Sequence, residues 1–173
     1  MTLPRFGLNR FDSRSVDTFV ADVRRAETLG WDAALQPDSQ LRRRDTYVLL
    51  AMAARATERI VLGPLLANPV NRHPTVTASS IATIDELAPG RTLLGWGVGD
   101  TAVRLAGLRP ARVKELEDIV AQLVAVLGGA PVAFDHVVLH PIPDPKFPVD
   151  PERDYTARVA REILPHVRAR LKA

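Results

Sequence analysis

Cysteine is absent from the 173-residue sequence, which excludes disulfides, thiolate metal sites and cysteine nucleophiles together. Aromatic residues are scarce, at 5% of the chain, and none is interleaved with the arginine clusters to form a base-stacking platform. No stretch approaches the roughly 20 uninterrupted apolar residues of a membrane helix. The opening "MTLPRFGLNRFDSR" lacks the apolar core and cleavage pattern of an export signal. A cytoplasmic protein without a membrane partner is therefore expected. The charge excess is small as well, 23 Lys and Arg against 20 Asp and Glu, for a net charge of +3. It gathers in "LRRRD" at 41–45 and between Arg153 and Ala173, where six Lys or Arg face two acids. Basic residues in the last turns of a terminal helix complement its dipole, so no nucleic-acid partner is expected. His136, His140 and His166 lack metal-ligand spacing, and no metal site is expected.

What the chain does have is an apolar share of 46% and a length that suits one domain with a sizeable core. Strand and helix signals alternate along it. "LPRFGL" opens as a short strand. Ser15 caps a helix with apolar positions Val16, Phe19, Val20, Val23 and Leu29 that stops at Gly30. "WDAALQPDS" reads as a buried strand ending in a turn at Pro37-Asp38. "DTYVLLAMAARAT", residues 45–57, is apolar almost all round and predicts a helix packed on more than one side. "RIVLGPLLANP" is the strongest strand signal, and "PTVTASSIATIDEL" predicts a helix opened by Pro74 with Ala78, Ile81, Ile84 and Leu87 inward. "TLLGWGVG" predicts a fourth strand. A long helix over 110–127 follows, starting at Pro110 and repeating Val113, Leu116, Val120, Leu123 and Leu127. The strands recur about every 30 residues, which points to parallel βαβ units.

That rhythm breaks after Gly129. His136–Leu139 reads as one more strand, and five of the 14 prolines fall between Pro141 and Pro151, which predicts a wrapped loop. A final helix from about Arg153 carries Tyr155, Val159, Ile163, Val167 and Leu171 inward, interrupted at Pro165. The expectation is a single domain over 1–173. Residues 1–129 hold four β/α units, and 130–173 hold the last strand, the proline-rich loop and the C-terminal helix.

The stretch "RTLLGWGVGDTAVR" runs a strand into three alternating glycines and an acid. Gly97-x-Gly99-x-x-Ala102 formally satisfies the permissive dinucleotide fingerprint. The acids about 20 residues on, Glu115, Glu117 and Asp118, fall inside a helical repeat rather than at a strand end, so none is placed to hold a ribose. A barrel-mouth loop and a plain tight turn are the other readings. In (β/α) barrels the chemistry sits where strands pass into βα loops. Here "QPDSQ", "LLANPVNRHP" and "GVGD" place small or polar groups at three consecutive strand ends.

The segments "AETLGWDAALQPDS", "RRRDTYVLLAMAARATERIVLGPLLANPVNRHPTVTASSIATIDELAPGR" and "LLGWGVGDTAVRLAGLRPARVKELE" together resemble the luciferase-like monooxygenase superfamily. The likeness is to its branch using the deazaflavin coenzyme F-420, typified by methylene-tetrahydromethanopterin reductases. "FDHVVLHPIPDP" and "YTARVAREILPHVR" resemble that family's last strand and helix. The resemblance implies an α/β fold of the TIM-barrel (β/α)8 kind, and hydride transfer between a deazaflavin, or FMN, and a small organic substrate. Asp38 then matches an acid contacting the coenzyme ring. Leu65 and Leu66 match a bulge, often with a non-prolyl cis peptide, that backs the ring. Asn68 matches a polar side chain reaching the coenzyme. Gly97 and Gly99 match the loop that lets backbone amides approach it, and Asp100 matches a catalytic proton donor. Ser39 stands where alcohol-oxidising relatives carry histidine. His73, just before a helix-opening proline, reads as a loop or capping residue.

Eight β/α units need roughly 240–250 residues, so the resemblance implies an incomplete barrel of about five parallel strands, lacking strands five to seven, with the join near 128–131. An open parallel edge invites pairing with another chain, and a homo-oligomer is expected. The edge could instead be covered by the proline-rich segment, or the last strand could lie beside strand one. The functional alternative to an oxidoreductase is a non-catalytic flavin-binding or scaffold protein. A dinucleotide-dependent dehydrogenase ranks behind both.

Overall fold

The structure, a computed structural model, describes residues 6–9, 11, 14–128 and 137–139. The element order is β1 (Gly7–Asn9), α1 (Val16–Thr28), β2 (Ala33–Gln36), α2 (Thr46–Ala56), β3 (Val61–Pro64), α3 (Pro74–Leu87), β4 (Leu94–Trp96), α4 (Thr101–Leu105), α5 (Val113–Gly128) and β5 (Val137–Leu139). Local chemistry sets most of the boundaries. Ser15 Oγ accepts the Thr18 N–H at 3.0 Å and caps α1, while Gly30 leaves it at φ +87. Asp45 caps α2 by accepting the Tyr47 and Val48 N–H groups at 2.9 and 3.1 Å. His73 caps α3, its Nδ1 facing the Thr75 N–H and hydroxyl, with Pro74 in the first turn.

All strands run parallel. β1 pairs with β2, β2 with β3, and β4 with β5. Parallel bridges Leu62↔Thr92 and Ala67↔Trp96 join β3 to β4, giving the spatial order β1-β2-β3-β4-β5. Each described crossover between neighbouring strands carries one or more helices, so this is a partial (β/α) barrel. The core lies between sheet and helices. Phe19 and Val23 of α1, Leu49 and Leu50 of α2, Ile81 of α3 and Leu116 and Leu123 of α5 are buried there with Leu62 and Trp96 of the strands.

Several expectations need correction. β5 lies beside β4, not beside β1. The long helix starts at Val113 rather than Pro110. Its start is set by Glu115, whose carboxylate accepts the Arg112 N–H at 2.6 Å in the manner of a capping box. Residues 101–105 form a helix that the sequence pattern did not reveal. Helix α2 packs on α1, α3 and β3, yet its outer side is open: Val48 and Met52 are exposed, because neighbours engage its flanks and inner face only. Past Gly128, the expected strand is present at Val137–Leu139. The proline-rich loop, the final helix, and His136, His140 and His166 lie outside the described residues, as do residues 129–131 of the join expected near 128–131.

Candidate functional site

Strand β3 ends in a bulge. Leu62 bonds to Arg91 and Leu93, and Ala67 bonds to Gly95 and Gly97. Six residues on this path, Leu62 to Ala67, therefore span the same distance as five, Thr92 to Trp96, on β4. The extra residue falls at Leu65-Leu66, whose peptide bond is cis. On the other side, the Leu65 N–H donates to the Gln36 carbonyl at 2.9 Å and the Asp38 N–H to the Leu66 carbonyl at 3.4 Å. Gly95 lets β4 come this close. A Cβ there would stand 2.7 Å from Leu65 Cδ1 and 2.8 Å from the Pro64 carbonyl oxygen.

A cavity of about 380 Å³ opens over this bulge at the carboxyl ends of the strands, within the usual size range of small-molecule sites. Asp38, Leu65, Leu66, Asn68, Gly99 and Asp100 all line it, brought together from three strand ends. Gly97 does not. It is buried, and its N–H is already given to the Ala67 carbonyl at 3.0 Å, so that amide is committed to the sheet. Gly99 adopts φ +81, and a Cβ on it would collide with the Val103 side chain and come within 3.1 Å of Asn68.

Asp38 is buried and accepts the Tyr47 phenol at 3.2 Å. Burial pushes its carboxyl above the usual range, against the pull of the Arg72 charge and the Tyr47 hydrogen bond, and Asp45 adds to the rise. Burial, reinforced by Asp38, likewise pushes the Tyr47 phenol far above its ordinary value. Arg72 lies 4.4 Å over the Tyr47 ring and pairs with Asp45 at 2.6 Å. Asn68 is turned partly inward: its Oδ1 accepts the Val70 and Asn71 N–H groups at 3.1 and 2.9 Å, leaving Nδ2 as the group able to meet a ligand. Asp100 stands at the rim in an ion pair with Arg104 at 2.6 Å. The Ser39 hydroxyl, buried in the cavity wall, has no partner among the described residues. His73 caps α3 and does not line the cavity. Among the described residues no cluster of His, Asp or Glu could hold a metal ion, and no helix is long and apolar enough to cross a membrane.

Tyr47, Arg72, Gly95 and the arginines at 42–43 were missed as site residues. Tyr47 sits in an apolar helical pattern and reads as core, although a buried phenol needs a partner and Asp38 was the nearest candidate. Gly95 reads as one more small strand residue until β3 is placed against it.

The model of the luciferase-like monooxygenase family matches residues 1–165. A 5,10-methylenetetrahydromethanopterin reductase of Archaeoglobus fulgidus is 35% identical over 118 residues, covering 65% of this chain and 34% of the relative. The coenzyme F-420-dependent tetrahydromethanopterin reductase of Methanopyrus kandleri superposes with a TM-score of 0.65 at 28% identity, over 76% of this chain and 42% of that one. An FMN-bound monooxygenase component from Pseudomonas putida shares the fold at 24% identity and a TM-score of 0.55, over 70% of this chain and 38% of that one. The chain thus spans less than half the length of each of these proteins.

Proposed function

This chain belongs to the luciferase-like monooxygenase family, and on that premise we propose that its strand-end cavity binds a deazaflavin, or FMN, for hydride exchange with a small organic substrate. The observation that carries the reading is the bulged Leu65-Leu66 segment forming an apolar cavity wall beside a buried acid, Asp38. A flat ring system suits these surroundings. Leu65 and Leu66 offer apolar contact, Ser39 has a buried hydroxyl without a partner among the described residues, and Gly99, which has no room for a Cβ beside Val103 and Asn68, brings bare backbone to the cavity wall. When bound, the coenzyme would supply the ring position that gives or takes a hydride, a carbon in a deazaflavin and a nitrogen in FMN.

The chain's own residues orient and shield. Tyr47 holds Asp38 in one position, and the cis-linked leucines exclude water from one side of the cavity. Asp100 is the candidate proton donor to substrate. Its ion pair with Arg104 must open first, and the exposed Arg104 side chain is free to swing outward. That same ion pair favours a second reading, in which the cavity binds a flavin-type ring without catalysis.

An equilibrium titration with coenzyme F-420, followed by fluorescence and competed with FMN, tests the proposal. Saturable binding is expected, weakened about tenfold, about 1.4 kcal/mol, by Asp38→Ala and by Gly99→Val. Failure of both rings to bind at about 100 micromolar, where even about −5.5 kcal/mol of affinity would register, overturns it. Binding without loss of colour on addition of hydride donors supports the second reading.

A further inference from the structure

The arginine run 42–44 is held by backbone rather than by acids. The Arg42 and Arg43 N–H groups both donate to the Ser39 carbonyl at 2.9 Å, which fixes the turn. The Arg43 guanidinium donates to the Phe11 carbonyl at 3.1 Å, and that of Arg44 to the Arg14 carbonyl at 2.6 and 3.1 Å. None of the three meets a carboxylate among the described residues, and Arg42 makes no side-chain hydrogen bond or ion pair with them. The neighbouring cations differ: Arg72 is neutralised by Asp45 and Arg104 by Asp100. Arg42 and Arg43 both line the cavity. Of the two acids there, Asp100 is paired with Arg104 and Asp38 accepts the Tyr47 phenol, so neither meets Arg42 or Arg43. The β2–α2 side of the cavity therefore presents two guanidinium groups that no described carboxylate pairs with.

We propose that Arg42 and Arg43 form an oxyanion-binding wall of this cavity and select ligands ending in a carboxylate or phosphate. The inference rests on the reading of the cavity as a coenzyme and substrate site. A guanidinium fork matches either group with two parallel hydrogen bonds. Arg43 is partly buried and anchored to the Phe11 carbonyl, whereas Arg42 is exposed and its guanidinium is uncommitted among the described residues. The anion belongs to the reacting substrate or to the side chain of the coenzyme, and the two sources separate experimentally.

Binding of succinate, inorganic phosphate and neutral succinamide is measured by calorimetry on wild type, Arg42→Gln, Arg43→Gln and the distant control Arg55→Gln. Anions are expected to bind wild type and the control equally, to weaken about tenfold in Arg42→Gln and to weaken in Arg43→Gln, with succinamide silent. Arg42→Gln removes no contact seen among the described residues, so it carries the test if Arg43→Gln misfolds. Riboflavin and FMN, which differ by one phosphate, locate the source. An FMN preference that collapses in Arg42→Gln assigns the wall to the coenzyme, and one that persists assigns it to the substrate. Anion binding that is absent from wild type, or indifferent to Arg42→Gln, overturns the proposal. Arg42-dependent anion binding in a protein that takes neither F-420 nor FMN upholds the wall and removes the oxidoreductase reading instead.

Discussion

Asp38 shows how one side chain couples position to chemistry. The turn at Pro37-Asp38 ends β2, and that alone marks the acid as a strand-end residue. Its electrostatics come from groups elsewhere in the sequence: Tyr47 on α2 and Arg72 on the β3–α3 loop. Because burial raises its folded-state pKa above the ordinary 3.8, its contribution to stability is full below that value and is lost as pH rises through the folded value. Asp38→Asn stays neutral and still accepts the Tyr47 hydroxyl. It should melt above wild type at pH 7, with the difference closing as pH falls to 3.8 and below. Thermal denaturation across that range checks this, and equal melting at every pH would mean that the buried charge costs nothing. Asp38 was legible in the sequence because turn chemistry is local. That the Gly97 amide is given to the Ala67 carbonyl was not legible, because only the partner strand shows it.

Between elements, single side chains tie segments that hydrophobic pattern leaves independent. Glu27, near the end of α1, accepts the N–H groups of Glu58, Arg59 and Ile60 at 2.6–3.3 Å and so holds the α2–β3 turn. Burial pushes its carboxyl up, but the three backbone donors and the Arg59 charge outweigh it and the net shift is downward. This stabilisation is present above the ordinary 4.5 and is lost as pH falls through the depressed folded value. Glu27→Ala should cost about 1–2 kcal/mol at neutral pH, a melting shift of roughly 2–4 °C per kcal/mol, and should flatten the acid limb of the stability profile. Arg91, at the start of the run into β4, donates to the Ala54, Thr57 and Ile60 carbonyls and to the Thr57 hydroxyl. Lysine keeps the charge but not the fork, so Arg91→Lys should destabilise by about 1–2 kcal/mol in urea unfolding. Helices α1, α2, α3 and α5 were legible because apolar spacing repeats over several turns. Helix α4 has five residues, too few for a period, and the start of α5 depends on a side-chain bond three residues long.

At the scale of the whole molecule, the described sheet ends at β1 and β5, with no described strand beyond either. Parallel edges of this kind recruit further strands, so light scattering at micromolar concentration is expected to give a homo-oligomer. A monodisperse monomer would show that the edges are covered within the chain. The sequence by itself determined the alternation of strands and helices, their parallel sense and the gathering of polar and glycine residues at strand ends. It did so because periodicity, caps and turns are properties of neighbouring residues. Which strand β5 joins, how the extra residue at Leu65-Leu66 is absorbed against Gly95, and which arginines keep an unneutralised charge beside the cavity were decided only by the tertiary structure. Each depends on groups far apart in sequence, whose meeting is fixed by packing the sheet against its helices.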